Sequence, residues 1–478
     1  MFKFKIRRIA LPVLAALAIA GCKAPAITAS VENQPLPETF GTTSDTTNVS
    51  NLKWRDFFQD KNLQDLIGVA LKNNQELNIT LQEIEITQND IRMRKGAILP
   101  TVALKAGAGI EKVGRYTSQG AGDASTEIKP GVEMPDPLSD FGVSAVANWE
   151  VDIWKKLRNS KKAAVNRYLA SVEGKNFVLT NLIAEVANSY YELLALDNQL
   201  AIIRQNIDIQ KNGLEIVKVQ KQAARATELA VQKFSAEVLN SQSLEFKILQ
   251  QITETENKIN FLLGRYPQEI ARDKSDFTGL VPNFVAVGIP SQLLANRPDI
   301  KQAELELAAA KLDVKAARAE FYPHLDISAS IGTQAFKPSY LATLPESLLY
   351  SLIGDLTAPL VNRNAIKSEY KSANSRQIQA VVKYQRTILN AYFEVVNQMS
   401  GIGNLQKSYD LKSRQVQALT QSIDISNDLF RSARADYLEV LLTQRDALES
   451  KLELVETKKA QFSAVVNVYR DLGGGWKE

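Results

Sequence analysis

The chain has 478 residues, with 57 Lys and Arg against 53 Asp and Glu, and it contains one His and one Cys. Four basic residues lie within the first 21, and the remaining body is neutral, which gives no electrostatic reason to expect nucleic acid as a partner. One His and one Cys exclude multi-histidine zinc sites and disulfide frameworks. No other set of catalytic side chains converges, so we expect no enzyme, metal or cofactor.

The N-terminus reads as an export signal. Residues 1–21 combine the four basic residues with an uncharged apolar run, and that run is shorter than the roughly 20 residues of a membrane-spanning helix. Ala18-Ile19-Ala20 fits ordinary signal peptidase, whereas Ile19-Ala20-Gly21-Cys22 resembles a bacterial lipobox. A lone Cys in an exported protein favours the second pattern. We therefore expect a lipidated Cys22 followed by a linker over 22–50.

Four stretches of alternating apolar and polar residues predict four long amphipathic strands. A membrane barrel has this alternation between a lipid face and a lumen face, and a half-buried soluble sheet has it too. The strands are predicted at about 101–111, 141–153, 324–333 and 349–361.

Two stretches without proline, 138–266 and 360–478, predict very long helices, because an internal proline costs a helix about 3 kcal/mol. Apolar residues in both stretches recur with coiled-coil spacing. We predict long helical hairpins over about 157–263 and 363–471, in which a single helix reaches about 100 Å at 1.5 Å per residue.

The chain repeats itself. Residues from Asn74 align without a gap with residues from Arg297, so that the same order of helix, strand, strand, long helix, turn and helix occurs twice. The repeats are predicted over 51–265 and 290–473, with a connector over 266–289 and a tail over 474–478. Four strands cannot close a membrane barrel, so strands in a membrane would require several chains to share one barrel.

Several motifs together resemble one family. They are the lipobox at 19–22, the segment 293–323, DYLEVLLTQRDAL at 436–448 and YRDLGGGW at 469–476. They are similar to the TolC/OprM-like outer-membrane efflux proteins of the lipoprotein (NodT-type) branch. The resemblance implies an α+β membrane fold, in which a homotrimer forms a 12-stranded outer-membrane β-barrel continuous with a long periplasmic α-helical barrel.

The resemblance also implies function and partners. Family members are passive exit ducts of tripartite pumps and conduct small molecules, working with a periplasmic adaptor (membrane fusion protein) and an inner-membrane RND-type transporter. Lys23 after the lipidated Cys points to the outer membrane, whose lipid then holds the anchor. A type I-like protein-secretion duct and a non-pore, lipid-anchored coiled-coil tether remain alternatives.

In this family the two hairpin turns form the periplasmic end, where the adaptor docks and the pore closes. The turns correspond here to Ala224, Arg225, Ala226 and Thr227, and to Ala433, Arg434, Ala435 and Asp436. The family usually has Gly where this chain has Ala224 and Ala433. Arg225 and Arg434 are either docking contacts or solvated surface residues.

A pore-lining acid in some relatives corresponds to Glu439, which is either a carboxylate ring in the trimer or an ordinary surface residue. The equivalent position in the first repeat is about Ala230, so any ring would be threefold.

Overall fold

The computed structural model describes residues 25–26, 36–40, 46–274, 277–282, 286–432 and 434–477. In chain order the helices are α1 Trp54–Phe57, α2 Lys61–Asn73, α3 Gln75–Gly96, α4 Ser118–Asp123, α5 Lys156–Gln222, α6 Glu228–Leu262, α7 Ser291–Asn296, α8 Pro298–Ala319, α9 Asn364–Arg431 and α10 Tyr437–Asp471. The strands are β1 Thr101–Glu111, β2 Glu127–Lys129, β3 Val132–Glu133, β4 Leu138–Val151, β5 His324–Ala335 and β6 Leu348–Thr357. Among the described helices, none has both the length and the apolar character needed to cross a bilayer.

The four long strands form one antiparallel sheet in the order β1-β4-β5-β6. The pairs at one end of this sheet are Thr101 with Asn148, Val151 with Leu325, and His324 with Thr357. These pairs bring together the four strand ends that connect to α3, α5, α8 and α9. The opposite end carries the connecting loops, and the first of these contains α4 and the β2–β3 pair, which the sequence does not predict.

β4 covers Leu138–Val151, whereas the alternation predicts 141–153. The strand begins directly after Pro137 and stops before Asp152, because that side chain caps the next helix. Its carboxylate accepts hydrogen bonds from the backbone N–H groups of Leu157 (3.0 Å) and Arg158 (2.9 Å). A cap of this kind satisfies two of the free N–H groups at the start of α5.

β6 is shorter than predicted and ends at Thr357 rather than at 361. Thr357 lies opposite His324, the first residue of β5, so the residues after Thr357 extend past the end of β5 and pair with no described strand. Pro359 follows two residues later and has no N–H group to donate.

The long helices fall where proline is missing. α5 has 67 residues and α9 has 68, and each is followed across a short turn by a helix of 35 residues. At 1.5 Å per residue α5 is about 100 Å long. The helices therefore supply the two long hairpins that the coiled-coil spacing predicts.

The chain forms two compact units. The first contains 86–168 and 305–381 and holds the sheet, and the second contains 32–85, 169–304 and 382–478 and holds both hairpin turns. Each unit draws on both predicted repeats, because strands from both repeats pair in one sheet. The compact units therefore divide the chain differently from the sequence repeats.

The core of the second unit joins residues that are distant in the chain. The Phe57 ring stacks on Tyr469 with a centroid distance of 4.1 Å, and the Tyr469 hydroxyl donates to the Leu52 carbonyl at 2.8 Å. The Tyr190 hydroxyl donates to Asp60 Oδ2 at 2.7 Å. Aromatic pairs of this kind contribute about 1 kcal/mol beyond their buried area. These contacts hold the segment before α2 against α5 and α10.

Candidate channel-forming sheet and hairpin turns

One face of the sheet is apolar across all four strands. The register places Ala145 of β4 beside Leu104 of β1 and Ile331 of β5, with Tyr350 of β6 beside Ile331. Large apolar side chains on this face are exposed, including Leu104 at 85% and Leu352 at 78%. A continuous exposed apolar surface of this kind marks a contact with lipid or with another protein.

The opposite face of the sheet is polar, and its side chains bond across the strands. Such cross-strand pairs fix the register, since a slip of one residue would move every apolar side chain to this face. The hydrogen bonds are Ser328 Oγ to Asn148 Oδ1 (3.1 Å), Ser330 Oγ with Ser351 Oγ (2.8 Å), and Gln334 Nε2 to Asp140 Oδ1 (2.9 Å) and Oδ2 (2.8 Å).

Aromatic side chains lie at the helix-bearing end of the sheet. The Trp149 indole N–H donates to the Ile98 carbonyl at 3.0 Å, and the Trp154 indole N–H donates to the Pro323 carbonyl at 2.7 Å. Trp154 also packs on the Tyr322 ring at 4.8 Å. Aromatic residues with an apolar body and a satisfied polar group are typical of membrane interfaces.

The first hairpin turn closes α5 against α6. Ala224 adopts a left-handed conformation with φ of 58°, and the Arg225 N–H donates to the Gln220 carbonyl at 2.8 Å. Thr227 caps α6, because its hydroxyl accepts from the Ala230 N–H at 3.2 Å. Left-handed backbone is costly for a residue with a Cβ atom, so Ala224 carries strain that Gly would not.

The second turn closes α9 against α10 in a related way. The Arg434 N–H donates to the Leu429 carbonyl at 2.9 Å, the same five-residue span as in the first turn. Ala433 lies outside the described residues. Asp436 occupies the capping position of α10 but makes no side-chain capping bond, so its exposed carboxylate is not used to satisfy the helix.

Glu439 and Ala230 occupy equivalent places and have different surroundings. Glu439 is exposed in the first turn of α10, whereas Ala230 is fully buried. Ala230 belongs to a small apolar cluster at the turns that includes Phe234 and Val440. The first-repeat position therefore has no room for a solvated carboxylate. Among the described residues, neither Arg225 nor Arg434 forms an ion pair, and both side chains are exposed.

Arg297, which directly precedes α8, is a buried junction in the second unit. Its side chain donates to Glu394 Oε2 (2.7 Å) and to the Asp471 carbonyl (2.7 Å), and it forms two bonds to the Asp299 carboxylate. Burial disfavours the charged guanidinium and lowers its pKa. The hydrogen bonds to Asp299 and Glu394, together with their negative charges, have a larger effect, so the pKa of Arg297 is raised. The guanidinium therefore stays charged and ties α8, α9 and α10 together. No local pattern in the sequence indicates this role.

The C-terminal tail closes over the same junction. Gly473 has φ of 83°, and a Cβ atom there would lie 2.5 Å from the Asn296 carbonyl oxygen, so only Gly fits. The Trp476 indole N–H donates to that carbonyl at 3.1 Å. Burial raises the pKa of the Asp471 carboxyl, although the charge of Arg470 offsets part of the effect. The glycine run is thus a helix stop that lets the tail pack on the end of α7.

A profile of the outer membrane efflux protein family matches residues 66–265 and 289–474, and the chain belongs to this family. It is 29% identical over 426 residues to the pyoverdine export outer membrane protein OpmQ of Pseudomonas aeruginosa, covering 89% of this chain and 88% of OpmQ. It is 26% identical to the cation efflux system protein CusC of Escherichia coli O6:H1, over 98% of this chain and 99% of CusC. A solved membrane protein structure from Pseudomonas aeruginosa superposes with a TM-score of 0.83 at 25% identity, covering 94% of this chain and 100% of that one.

The chain is accordingly an outer-membrane exit channel of the tripartite efflux type, and it extends into the periplasm. The resemblance inferred from the motifs is confirmed. Cys22, the predicted lipidation site, lies outside the described residues. The described part of the chain contains no group of three or more His, Cys, Asp or Glu side chains that could hold a metal ion.

Proposed function

We propose that three copies of the chain form one closed 12-stranded β-barrel in the outer membrane, with the apolar face of each sheet toward lipid and the polar face toward the lumen. The four-stranded sheet supports this arrangement, because its edge strands β1 and β6 each pair on one side only within the part of the chain that the structure describes. Open edges leave backbone N–H and C=O groups unsatisfied in lipid. Pairing β6 of one copy with β1 of the next removes all such edges.

The strand lengths agree with this arrangement. β1 has 11 residues and β6 has 10. A strand of about 10 residues, rising roughly 3.3 Å per residue and tilted by about 40°, spans the roughly 25 Å apolar band of a membrane barrel. The long hairpins then line the periplasmic part of the duct.

The hairpin turns are the proposed periplasmic end. In this proposal the exposed residues Arg225, Thr227, Arg434 and Asp436 contact the adaptor, together with Ala224, Ala226, Ala433 and Ala435 in the same two turns. Glu439 of three copies forms a carboxylate ring at the pore constriction, which favours cations through its negative potential. The adaptor would link the duct to an inner-membrane RND-type transporter.

The cargo is proposed to be small solutes or ions. OpmQ is named for pyoverdine export and CusC is named for cation efflux. Both proteins are similar to this chain over most of its length. We also propose a lipid anchor at Cys22, which would add about 0.8 kcal/mol of membrane attachment per buried CH₂ group.

The experiment compares two neighbouring substitutions in β1 that introduce the same side chain on opposite faces. Leu104→Arg puts a cation on the proposed lipid face, where it costs about 2–4 kcal/mol near the bilayer midplane. Ala103→Arg puts it on the proposed lumen face, next to Lys105. The mass of the detergent-extracted complex and its conductance in planar bilayers are measured for both.

We expect a trimer that conducts for the wild type and for Ala103→Arg, and a large loss of assembled trimer for Leu104→Arg. Equal effects of the two substitutions would contradict the assignment of the faces. A wild-type monomer, or an extended dimer without conductance, would rule out the shared barrel and favour the tether.

A further inference from the structure

The helix-bearing end of the sheet carries a strong excess of positive charge. The four segments that flank the strand ends, 90–100, 152–162, 311–323 and 358–371, contain 14 Lys and Arg and 5 Asp and Glu, a net charge of +9. The two loops at the opposite end, 112–137 and 336–347, contain 4 Lys and Arg and 5 Asp and Glu. The rest of the chain carries more acidic than basic residues, so the net charge of the whole chain is only +4.

A groove in the first unit gathers part of this charge around an apolar floor. It has a volume of about 570 Å³ and is lined by Ile98, Arg158, Lys161, Lys162, Val165, Asn166 and Leu312. The three basic residues and Val165 are spaced i, i+3, i+4 and i+7, so they share one face of α5. The floor comes from Ile98, before β1, and from Leu312 on α8.

The positive charge in the groove is mostly unpaired. Arg158 lies 3.8 Å from Asp152, whose carboxylate also accepts two backbone N–H groups. Lys161 and Lys162 form no ion pair with any residue that the structure describes. Cations that face an apolar pocket without counter-charges suit a ligand with an anionic head and an apolar tail.

The height of the groove agrees with this ligand. Ile98 is fixed at the end of the sheet by the hydrogen bond from Trp149. Lys161 is five residues into α5, about 8 Å of helix rise from the start of that helix, which begins five residues after the end of β4. Each headgroup layer of a bilayer adds on the order of 5–8 Å to the hydrocarbon core. The cations therefore lie at the depth of the headgroups on the helix-bearing side.

We propose that this groove binds an anionic phospholipid of the periplasmic leaflet. Arg158, Lys161 and Lys162 contact the phosphate of the headgroup, and Ile98, Val165 and Leu312 contact the first carbons of an acyl chain. This inference rests on the proposed barrel, which sets the depth of the sheet in the bilayer. A lipid bound here would hold the strand ends at a fixed height in the membrane.

The test measures lipid binding to the full-length, detergent-purified protein by native mass spectrometry. Phosphatidylglycerol and phosphatidylethanolamine are titrated separately, and inorganic phosphate at millimolar concentration serves as competitor. The variant is Arg158→Gln with Lys161→Gln and Lys162→Gln. The matched control removes three cations from the opposite end of the sheet: Lys112→Gln with Arg115→Gln and Lys337→Gln.

We expect the wild type and the control to bind phosphatidylglycerol more tightly than phosphatidylethanolamine. The groove variant should bind phosphatidylglycerol about 10- to 100-fold more weakly, since each basic residue near an anionic surface strengthens attachment about fivefold. Inorganic phosphate should not displace the lipid, because it lacks the apolar contacts.

Three outcomes would overturn the inference. An equal loss of phosphatidylglycerol binding in the groove variant and the control would show that the net charge of the protein, and not the groove, causes the effect. Displacement by inorganic phosphate would show a phosphate site instead of a lipid site. Dissociation of the groove variant into monomers would mean that a neighbouring copy covers the groove. Failure of the barrel proposal would be seen separately, as a wild-type protein that is not a trimer and does not conduct.

Discussion

Single residues at the hairpin turns carry local costs that the sequence already suggests. Ala224 stands where the family usually has Gly, and the structure shows why Gly is favoured, since the residue is left-handed. Ala in this conformation costs roughly 1–2 kcal/mol, whereas Gly costs somewhat more entropy on folding. The two effects leave a net strain at the first turn.

Ala224→Gly is expected to stabilise this turn by about 0.5–1 kcal/mol, because it removes the left-handed strain. Hydrogen exchange of the amides at 223–227 should slow by about two- to fivefold. The control is Ala201→Gly inside α5, where Gly should destabilise the regular helix. Faster exchange in Ala224→Gly would show that the turn is unstrained.

Glu439 is expected to set part of the ion preference of the duct. Glu439→Gln removes three charges from the proposed ring, so the cation-over-anion permeability ratio should fall severalfold at low salt and less at high salt. Reversal potentials in a KCl gradient measure this ratio. The control is Glu228→Gln, since the Glu228 charge is already paired with Lys221. A similar fall in the control would place the constriction elsewhere.

The buried Asp471 carboxyl is expected to make stability depend on pH. Burial raises its pKa above the ordinary value of 3.8, so the folded chain holds this proton more tightly than the unfolded chain. This contribution is fully present below pH 3.8 and is lost as the pH rises through the raised pKa. Asp471→Asn has no carboxyl to titrate and should not lose this stability. Its unfolding temperature in detergent should therefore change less than that of the wild type between pH 4 and pH 7. Parallel pH profiles for the two proteins would contradict the assignment.

At the scale of elements, several helices depend on one buried ion-pair junction. Arg297 is 5% exposed and bonds to groups on α8, α9 and α10. Removing Arg297 leaves the Asp299 carboxylate, whose side chain is 16% exposed, without its counter-charge, whereas the Glu394 carboxylate, 43% exposed, keeps part of its hydration. The junction therefore concerns the packing of whole helices.

Arg297→Ala is expected to destabilise the protein by about 3–5 kcal/mol, because Asp299 and Glu394 lose their counter-charge. Arg297→Lys should recover little, since an ammonium group cannot reproduce the forked bonds. Denaturant titration in detergent measures the free energy of unfolding. Arg204→Ala removes an exposed pair with Glu245 and should cost less than about 1 kcal/mol. Equal effects would show that the junction is not buried in the assembled protein.

Local patterns predict the elements of this chain better than they predict its junctions. Strand β1 lies at 101–111, where the alternation predicts it, because alternation directly reports a two-faced sheet. The Phe57–Tyr469 stack and the Arg297 junction leave no such trace, since their partners lie far apart in the chain. The basic charge around the strand ends is likewise not visible in any single stretch of sequence, because it comes from four separate segments that the fold brings together.

At the scale of the whole molecule, two features could hold the chain in the membrane: the proposed barrel and the proposed lipid anchor. The barrel removes two sheet edges from each chain, whereas acyl chains attach the N-terminus only. We therefore expect assembly to depend on the barrel.

Cys22→Ser should lose the mass of the acyl chains and keep a conducting trimer. Mass spectrometry of the intact chain measures the modification, and the mass of the detergent-extracted complex measures assembly. Loss of the trimer in Cys22→Ser would show that the anchor is needed for assembly. An unmodified wild-type Cys22 would refute the lipidation proposal.

The two open edges of the sheet also have a consequence for mixtures of chains. The proposed three-chain ring would have no stable partial form, because one or two copies would still expose two edges to lipid or solvent. A chain whose β1 cannot pair would therefore leave every ring that contains it unclosed. If half of the chains in a cell carried such a defect, about one ring in eight would contain only intact copies. Loss-of-pairing alleles of this protein would thus be dominant over the normal copy.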